Sequence, residues 1–283
     1  MGAIVQWLDQ MVNTMLLNSV ATNLERITAA IWLPLELGVT IGLLFYGYLI
    51  ATQQIPTPFG QALGNIVKVL IVVGLIESGG FYQTQIMGAM LSLPDGLMQV
   101  IMGGPGDARD ILSEFHNSGL ETATRLEERA PSFWTEMGRT VLFSLVSLAI
   151  VLMYTLVTVI GLLLMTVAKV GMALIVTVGP FFIAAALWEP TKEFFRYWLQ
   201  QALYFAFYGM LFTSVFSIVM GMLSHIQAIL VYMVGADEVN ILQILAVIFL
   251  VSSVAIFLLK MPSVIVGKVT GGFSVDMPFI GKI

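Results

Sequence analysis

Long apolar stretches separated by short polar ones dominate the chain. The longest runs from Val141 to Trp188, 48 residues with a single charge, Lys169. The short charged patch Glu189 to Trp198 (EPTKEFFRYW) follows, and a second long apolar run extends from Leu199 to Met222. About 20 apolar residues cross a bilayer core of roughly 30 Å. A 48-residue run would make a helix of about 72 Å, too long for one ordinary crossing. Gly161, the cluster Lys169–Gly171 and the pair Gly179-Pro180 are the candidate interruptions, because proline removes a helix hydrogen bond and clashes with the preceding turn. Three further spans are predicted, at 31–51, 63–82 and 241–259.

The segments between the spans differ in kind. Ile4, Val5, Leu8, Met11, Val12, Met15 and Leu16 fall on one helical face, opposite Gln6, Asp9, Gln10, Asn13 and Asn18. This spacing predicts an N-terminal amphipathic helix, either lying at an interface or docking a partner. It holds no Lys or Arg before Arg26, which argues against a basic lipid-binding helix. In the first span, Pro34 is expected in the opening turn and Gly38 and Gly42 form a face for close helix approach. Residues 53–61 read as a turn. Residues 83–139 have a soluble-like composition: four arginines against eight acidic residues, a net charge of −4. A turn is expected at Pro94-Asp95-Gly96. A helix follows from Asp107, with Ile111, Leu112, Phe115, Ala123 and Leu126 inward, ended by Pro131. This segment either covers its own bundle or presents a surface to a partner or substrate.

Composition narrows the class. Hydrophobic residues make up 58% and charged residues only 10%, where soluble domains carry about 25% charged. The chain is therefore read as an all-α polytopic membrane protein of five to six transmembrane helices, with the N-terminal amphipathic helix and a partly helical central extramembrane loop. There is no cysteine, so no disulfide or thiolate metal site. The two histidines, His116 and His225, share no ligand spacing, and a net charge of −5 gives no basic field for nucleic acid. No HExxH or GxSxG motif is present, and GKVTGG (267–272) lacks the order of a phosphate loop. No enzyme and no cofactor are expected. A secretory signal is not expected, nor is myristoylation, since position 6 is Gln6.

Charges inside or beside the spans are the candidate functional residues. Lys68 lies within two turns of its helix end, where it either snorkels or lines a pore or subunit contact. Lys169 is the second intramembrane charge. Glu189, Lys192, Glu193 and Arg196 fall at i, i+3, i+4 and i+7 on one helical face, with Phe194, Phe195 and Trp198 away from it. This pattern fits a helix at the membrane surface, with aromatics at headgroup level. It serves either as a topology anchor or as a docking site.

The stretch Gly179 to Val219 (GPFFIAAALWEPTKEFFRYWLQQALYFAFYGMLFTSVFSIV) resembles the core of the TrbL-type family. These are polytopic inner-membrane subunits of bacterial type IV secretion systems, equivalent to the sixth VirB-type component. The resemblance is carried by Gly179, Pro180, Phe181, Lys192, Phe195, Arg196 and Trp198 and by the order of segments over residues ~25–260. It implies a bacterial inner-membrane subunit with no catalysis of its own, assembling as a homo-oligomer in lipid. The implied partners are other type IV secretion subunits, namely pilus and stalk components, inner-membrane subunits and separate ATPases. Transient contact with DNA or protein substrate is implied as well.

Topology follows two rules that disagree. Lys192, Arg196 and the C-terminal lysines Lys260, Lys268 and Lys282 read as cytoplasmic, and the lysine-free loop 224–240 as outside. Six crossings would place 83–139 inside; the family picture has five, a periplasmic N-terminus and a periplasmic central loop. The latter is favoured and requires 141–188 to cross once net, as a tilted span plus a re-entrant piece broken near Lys169 and Gly179-Pro180. The expected segments are then 1–28 (amphipathic helix), 29–82 (two spans), 83–139 (periplasmic loop), 140–261 (C-terminal bundle) and 262–283 (basic cytoplasmic tail). The leading function is a channel or scaffold subunit of a secretion or conjugation machine. The alternative is a small-solute transporter or channel. Within the expected spans Gly-Pro occurs only at Gly179-Pro180, without the matching break that an inverted repeat would carry.

Overall fold

The computed structural model describes residues 2–54, 59–77, 80–102, 108–131, 136–234 and 241–271. Among these residues there is no strand. The helices are α1 (Gly2–Ala51), α2 (Phe59–Ile76), a π-helix (Tyr82–Ile86), α3 (Met87–Met102), α4 (Ala108–Glu128), α5 (Met137–Ala185), a 3₁₀ turn (Glu189–Thr191), α6 (Lys192–Val234) and α7 (Ile241–Val269). Four stretches are long and apolar enough to cross a membrane: Thr14–Ala51, Met137–Ala185, Glu189–Leu230 and Gln243–Val269. Leu63–Ile76 is a shorter apolar helix. The chain is an all-α polytopic membrane protein.

Several expected boundaries move. The N-terminal helix and the first span form one helix of 50 residues, with Pro34 in its interior. Pro34 leaves the carbonyl of the exposed Ala30 without its helical donor, and the helix runs on through it. The span expected at 63–82 ends at Ile76, and Gly80 N–H donates to the Glu77 carbonyl at 2.6 Å as the chain turns. No turn forms at Pro94-Asp95-Gly96, which lie inside α3. Pro94 packs against Gly209 of α6, where a Cβ would sit 3.4 Å from its ring. The 199–222 run belongs to a 43-residue helix that extends to Val234, and the last helix passes Pro262 to Val269. The loop expected at 224–240 is helical to Val234, and its positions 235–240, the start expected at Asp107, and Asp276 and Lys282 of the tail lie outside the described residues.

The largest correction concerns the 141–188 run. It is one continuous helix of 49 residues, α5, unbroken at Gly161 and at Lys169–Gly171 and running past Pro180 to Ala185. The two interior glycines are clearances, not breaks. A Cβ at Gly161 would press on Leu112 and Phe216, and one at Gly171 would overlap the Phe205 ring.

The contacts divide the chain into two compact units. The first comprises Met1–Val12, Pro94–Ala168 and Ala206–Ile283. Its centre is an antiparallel pair, α4 on the N-terminal part of α5. Leu112 meets Gly161, Gly119 meets Tyr154, and Ser147 Oγ donates to the Ala123 carbonyl (3.3 Å) and to Glu127 Oε1 (2.9 Å). Near the turn, Thr140 Oγ1 donates to the Pro131 carbonyl at 2.8 Å. Phe115 stacks on Tyr154 with ring centres 4.6 Å apart and packs edge-on to Phe216 of α6. Leu112, Ala123 and Leu126 are buried as their spacing predicts. Glu114, Glu121, Arg125, Glu127, Glu128 and Arg129 are exposed.

The second unit comprises Asn13–Leu93 and Lys169–Phe205. Its core takes Val20, Leu24 and Leu35 from α1, Tyr82 from the π-helix, Met172, Ala173 and Val176 from α5, and Trp198 and Ala202 from α6. The helix α1 ends in a left-handed cap: Gln53 has φ 56°, Gln54 N–H donates to the Leu49 carbonyl and Gln53 N–H to that of Ile50.

Candidate functional site

The residues singled out from the sequence converge within the second unit, where α5 gives way to α6. The chain leaves α5 through 3₁₀-type bonds, Ala186 N–H to Ile183 and Leu187 N–H to Ala184. Thr191 Oγ1 donates to the Ala185 carbonyl at 2.7 Å, so a helix-end carbonyl finds a side-chain partner. Trp188 is extended, Pro190 opens the 3₁₀ turn, and α6 begins at Lys192. Glu193 in its first turn suits the positive end of the helix dipole.

The charged stripe forms as the spacing predicts. Lys192 Nζ lies 3.7 Å from Glu189 Oε1, and Arg196 Nη1 lies 3.3 Å from Glu193 Oε2. All four side chains are exposed. Phe194 and Tyr197 are exposed beside them. Trp198 differs from its expected place among headgroup aromatics. It is only 6% exposed, stacks on Phe195 (5.7 Å) and donates Nε1–H to the Ile175 carbonyl at 2.8 Å. The spacing that puts Trp198 away from the charges therefore turns it inward, not toward lipid.

Gly179 and Pro180 lie beside that indole. A Cβ at Gly179 would overlap the Tyr82 hydroxyl and come within 3.1 Å of the Trp198 ring. Tyr82 is 1% exposed, and its hydroxyl donates to the Val176 carbonyl at 2.7 Å. Tyr82 lies outside every motif legible in the sequence. It sits where a π-helix inserts, a feature frequent at functional positions. Gly38 performs the expected close approach, with the Trp188 ring 3.1 Å from a Cβ built there, whereas Gly42 has nothing within 4 Å.

Lys68 is half-buried, and its ammonium lies 3.5 Å from the Leu187 carbonyl, just past the C-terminal end of α5. A cation belongs at the negative end of a helix, which accounts for this charge by capping. Lys169 is half-buried within α5 and is not part of the stripe. Among the described residues, no group of three His, Asp or Glu side chains could hold a metal.

Comparison with known proteins gives a consistent result. Residues 39–261 match the family model described as TrbL/VirB6 plasmid conjugal transfer protein. Over 212 residues the chain is 22% identical to the type IV secretion system protein VirB6 of Bartonella quintana (strain Toulouse). That alignment covers 74% of this chain and 64% of the relative. The protein of the same name from Bartonella henselae (strain ATCC 49882 / DSM 28221 / CCUG 30454 / Houston 1) is 24% identical over 201 residues, covering 70% of this chain and 58% of the relative. The chain thus spans under two thirds of the length of both relatives.

Proposed function

This chain belongs to the TrbL/VirB6 family, and from that premise we propose that it is an inner-membrane subunit of a bacterial type IV secretion or conjugation machine. In this reading it helps assemble the pilus and stalk and pass DNA or protein substrate across the inner membrane. It performs no chemistry of its own, and separate ATPases supply the energy. The observation that carries the reading is the family match over residues 39–261, which includes Lys68, Tyr82 and all of 179–198.

The helices add physical support. A continuous α5 enters and leaves a membrane once. Its residues from Ser147 to Gly161 pair with α4, whose outer face carries exposed carboxylates and guanidiniums that belong in water. The remaining residues 162–185 make about 36 Å of helix at 1.5 Å per residue, close to one bilayer core. This supports a periplasmic central segment. The face of α5 away from α4 exposes Leu145, Leu148, Leu152 and Leu156. Outside lipid such a stripe needs a cover, and the homo-oligomer reading assigns it to neighbouring subunits.

Deletion of the chain from its host machine should abolish substrate transfer, with recovery on re-expression. Transfer at the parental rate without it would overturn the proposal. For topology, a cysteine at the exposed Asn117 should react with a membrane-impermeant thiol reagent on intact spheroplasts. One at Lys192 should react only after permeabilisation. The reverse pattern would rule out the periplasmic placement.

A further inference from the structure

The two side-chain hydrogen bonds at the end of α5 coincide with a specific deficit. In an α-helix the N–H of residue i donates to the carbonyl of residue i−4. Pro180 has no N–H, so the carbonyl it leaves without a donor belongs to Val176. Val176 is fully buried, so water cannot serve as the replacement. That same carbonyl accepts the Tyr82 hydroxyl at 2.7 Å. The adjoining carbonyl on the same turn, Ile175, accepts Trp198 Nε1–H at 2.8 Å. We propose that Tyr82 is the replacement donor for the carbonyl opened by Pro180, and that Trp198 supplies an added donor to the carbonyl beside it. With Gly179 they form one hydrogen-bonded joint that fixes the end of α5 and the charged stripe beyond it.

Three observations beyond the distances support the assignment. The donors come from segments far apart in sequence, the π-helix and α6, and both are nearly fully buried. Gly179 is the residue whose side chain would exclude them, since a Cβ there overlaps the Tyr82 hydroxyl and crowds the Trp198 ring. The π-helix begins at Tyr82 itself. The extra residue it inserts changes the helical phase at the position that must present the phenol. The joint also explains why Gly, Pro and Trp occur together here: proline frees the Val176 carbonyl, tyrosine fills that opening, tryptophan donates to the neighbouring carbonyl, and glycine makes room. Tyr82 and Trp198 are positioning residues that act through the backbone of α5.

The test uses the full-length protein in detergent and in membranes. Tyr82→Phe keeps the ring and deletes the donor. It should lower the Tm by about 5 °C, the effect of leaving one buried carbonyl unpaired. The decisive step is to repeat the substitution in a Pro180→Ala background, where the backbone N–H restored at position 180 can reach the Val176 carbonyl. There Tyr82→Phe should shift the Tm by less than half as much. A purely packing role for Tyr82 would give the same shift in both backgrounds and would overturn the proposal. An unchanged Tm for Tyr82→Phe in the parent would also overturn it. If Tyr82→Phe fails to accumulate in membranes, recovery of accumulation by adding Pro180→Ala supports the joint, and failure to recover refutes it. Trp198→Phe should behave as a second, weaker deletion of a donor, because the Ile175 carbonyl retains a backbone donor candidate in Gly179 N–H.

Discussion

The two halves of α5 belong to one helix, yet different forces hold them. The N-terminal half is gripped by side chains. Leu112, Phe115 and Gly119 of α4 interlock with Gly161 and Tyr154, and one hydroxyl, Ser147, reaches across to Ala123 and Glu127. The C-terminal half is gripped largely by hydrogen bonds to its backbone, from Tyr82, Trp198 and Thr191, with Lys68 on the carbonyl of Leu187 just beyond its end. Pro180 and the helix end account for part of the difference: the first frees the Val176 carbonyl and the second the Ala185 carbonyl. An intact helix offers a neighbour only its side chains, whereas an opened one offers carbonyls as well. Apolar sequence of equal length can therefore be secured by shape in one place and by polar contacts in another.

Crowding should break the N-terminal half most severely. Gly119→Val forces a branched side chain into the Tyr154 ring and should cost about 3 kcal/mol or more. Thermal unfolding in detergent should show a large Tm loss or failure to accumulate. Acid should act on the same half more mildly. His116 of α4 is buried with Nδ1 unpartnered, and burial lowers its pKa below the ordinary 6.5. The folded form thus disfavours the proton that the unfolded chain accepts. Stability is fully present above about pH 6.5 and is lost as pH falls through it. His116→Phe should flatten that Tm-versus-pH curve between pH 8 and 5; an equally steep curve would exclude His116 as its source.

Ser147→Ala should cost about 1 kcal/mol, the ordinary value of a lost side-chain hydrogen bond, and a denaturation midpoint would report it. The smallest effect on stability is expected from Glu193→Ala with Arg196→Ala. The pair is exposed, so its removal should change stability by under ~0.5 kcal/mol. A loss of substrate transfer in that double variant, at unchanged Tm, would locate a partner contact on the stripe rather than a fold defect.

Much of the architecture is legible in the sequence because long-range order here is written in hydrophobic periodicity. The inward face of α4, the four-residue charged stripe and the all-α membrane character all follow from spacing and composition. Glycine is where that reading fails. Gly161 and Gly171 look like breaks in an apolar run, but a membrane-type helix tolerates glycine, and these two serve as seats for Leu112, Phe216 and Phe205. The role of Tyr82 is invisible to any window of residues, since its acceptor lies on Val176, remote in sequence. A signal does exist: Pro180 leaves a known carbonyl in want of a donor, and the chain must supply one from elsewhere. That signal lies in the count of backbone partners, not in hydrophobicity.

The stripe Glu189, Lys192, Glu193 and Arg196 carries two positive and two negative charges, each already matched within its own turn. Such a surface casts almost no field beyond the first layer of water. Any protein that docks there is not drawn in from a distance, so encounter should proceed at an unassisted pace of about 10⁵–10⁶ M⁻¹s⁻¹. Added salt should barely slow that encounter, unlike association guided by a basic or acidic face. The time a partner spends at this surface, rather than the speed with which it arrives, would then govern how long an assembly persists.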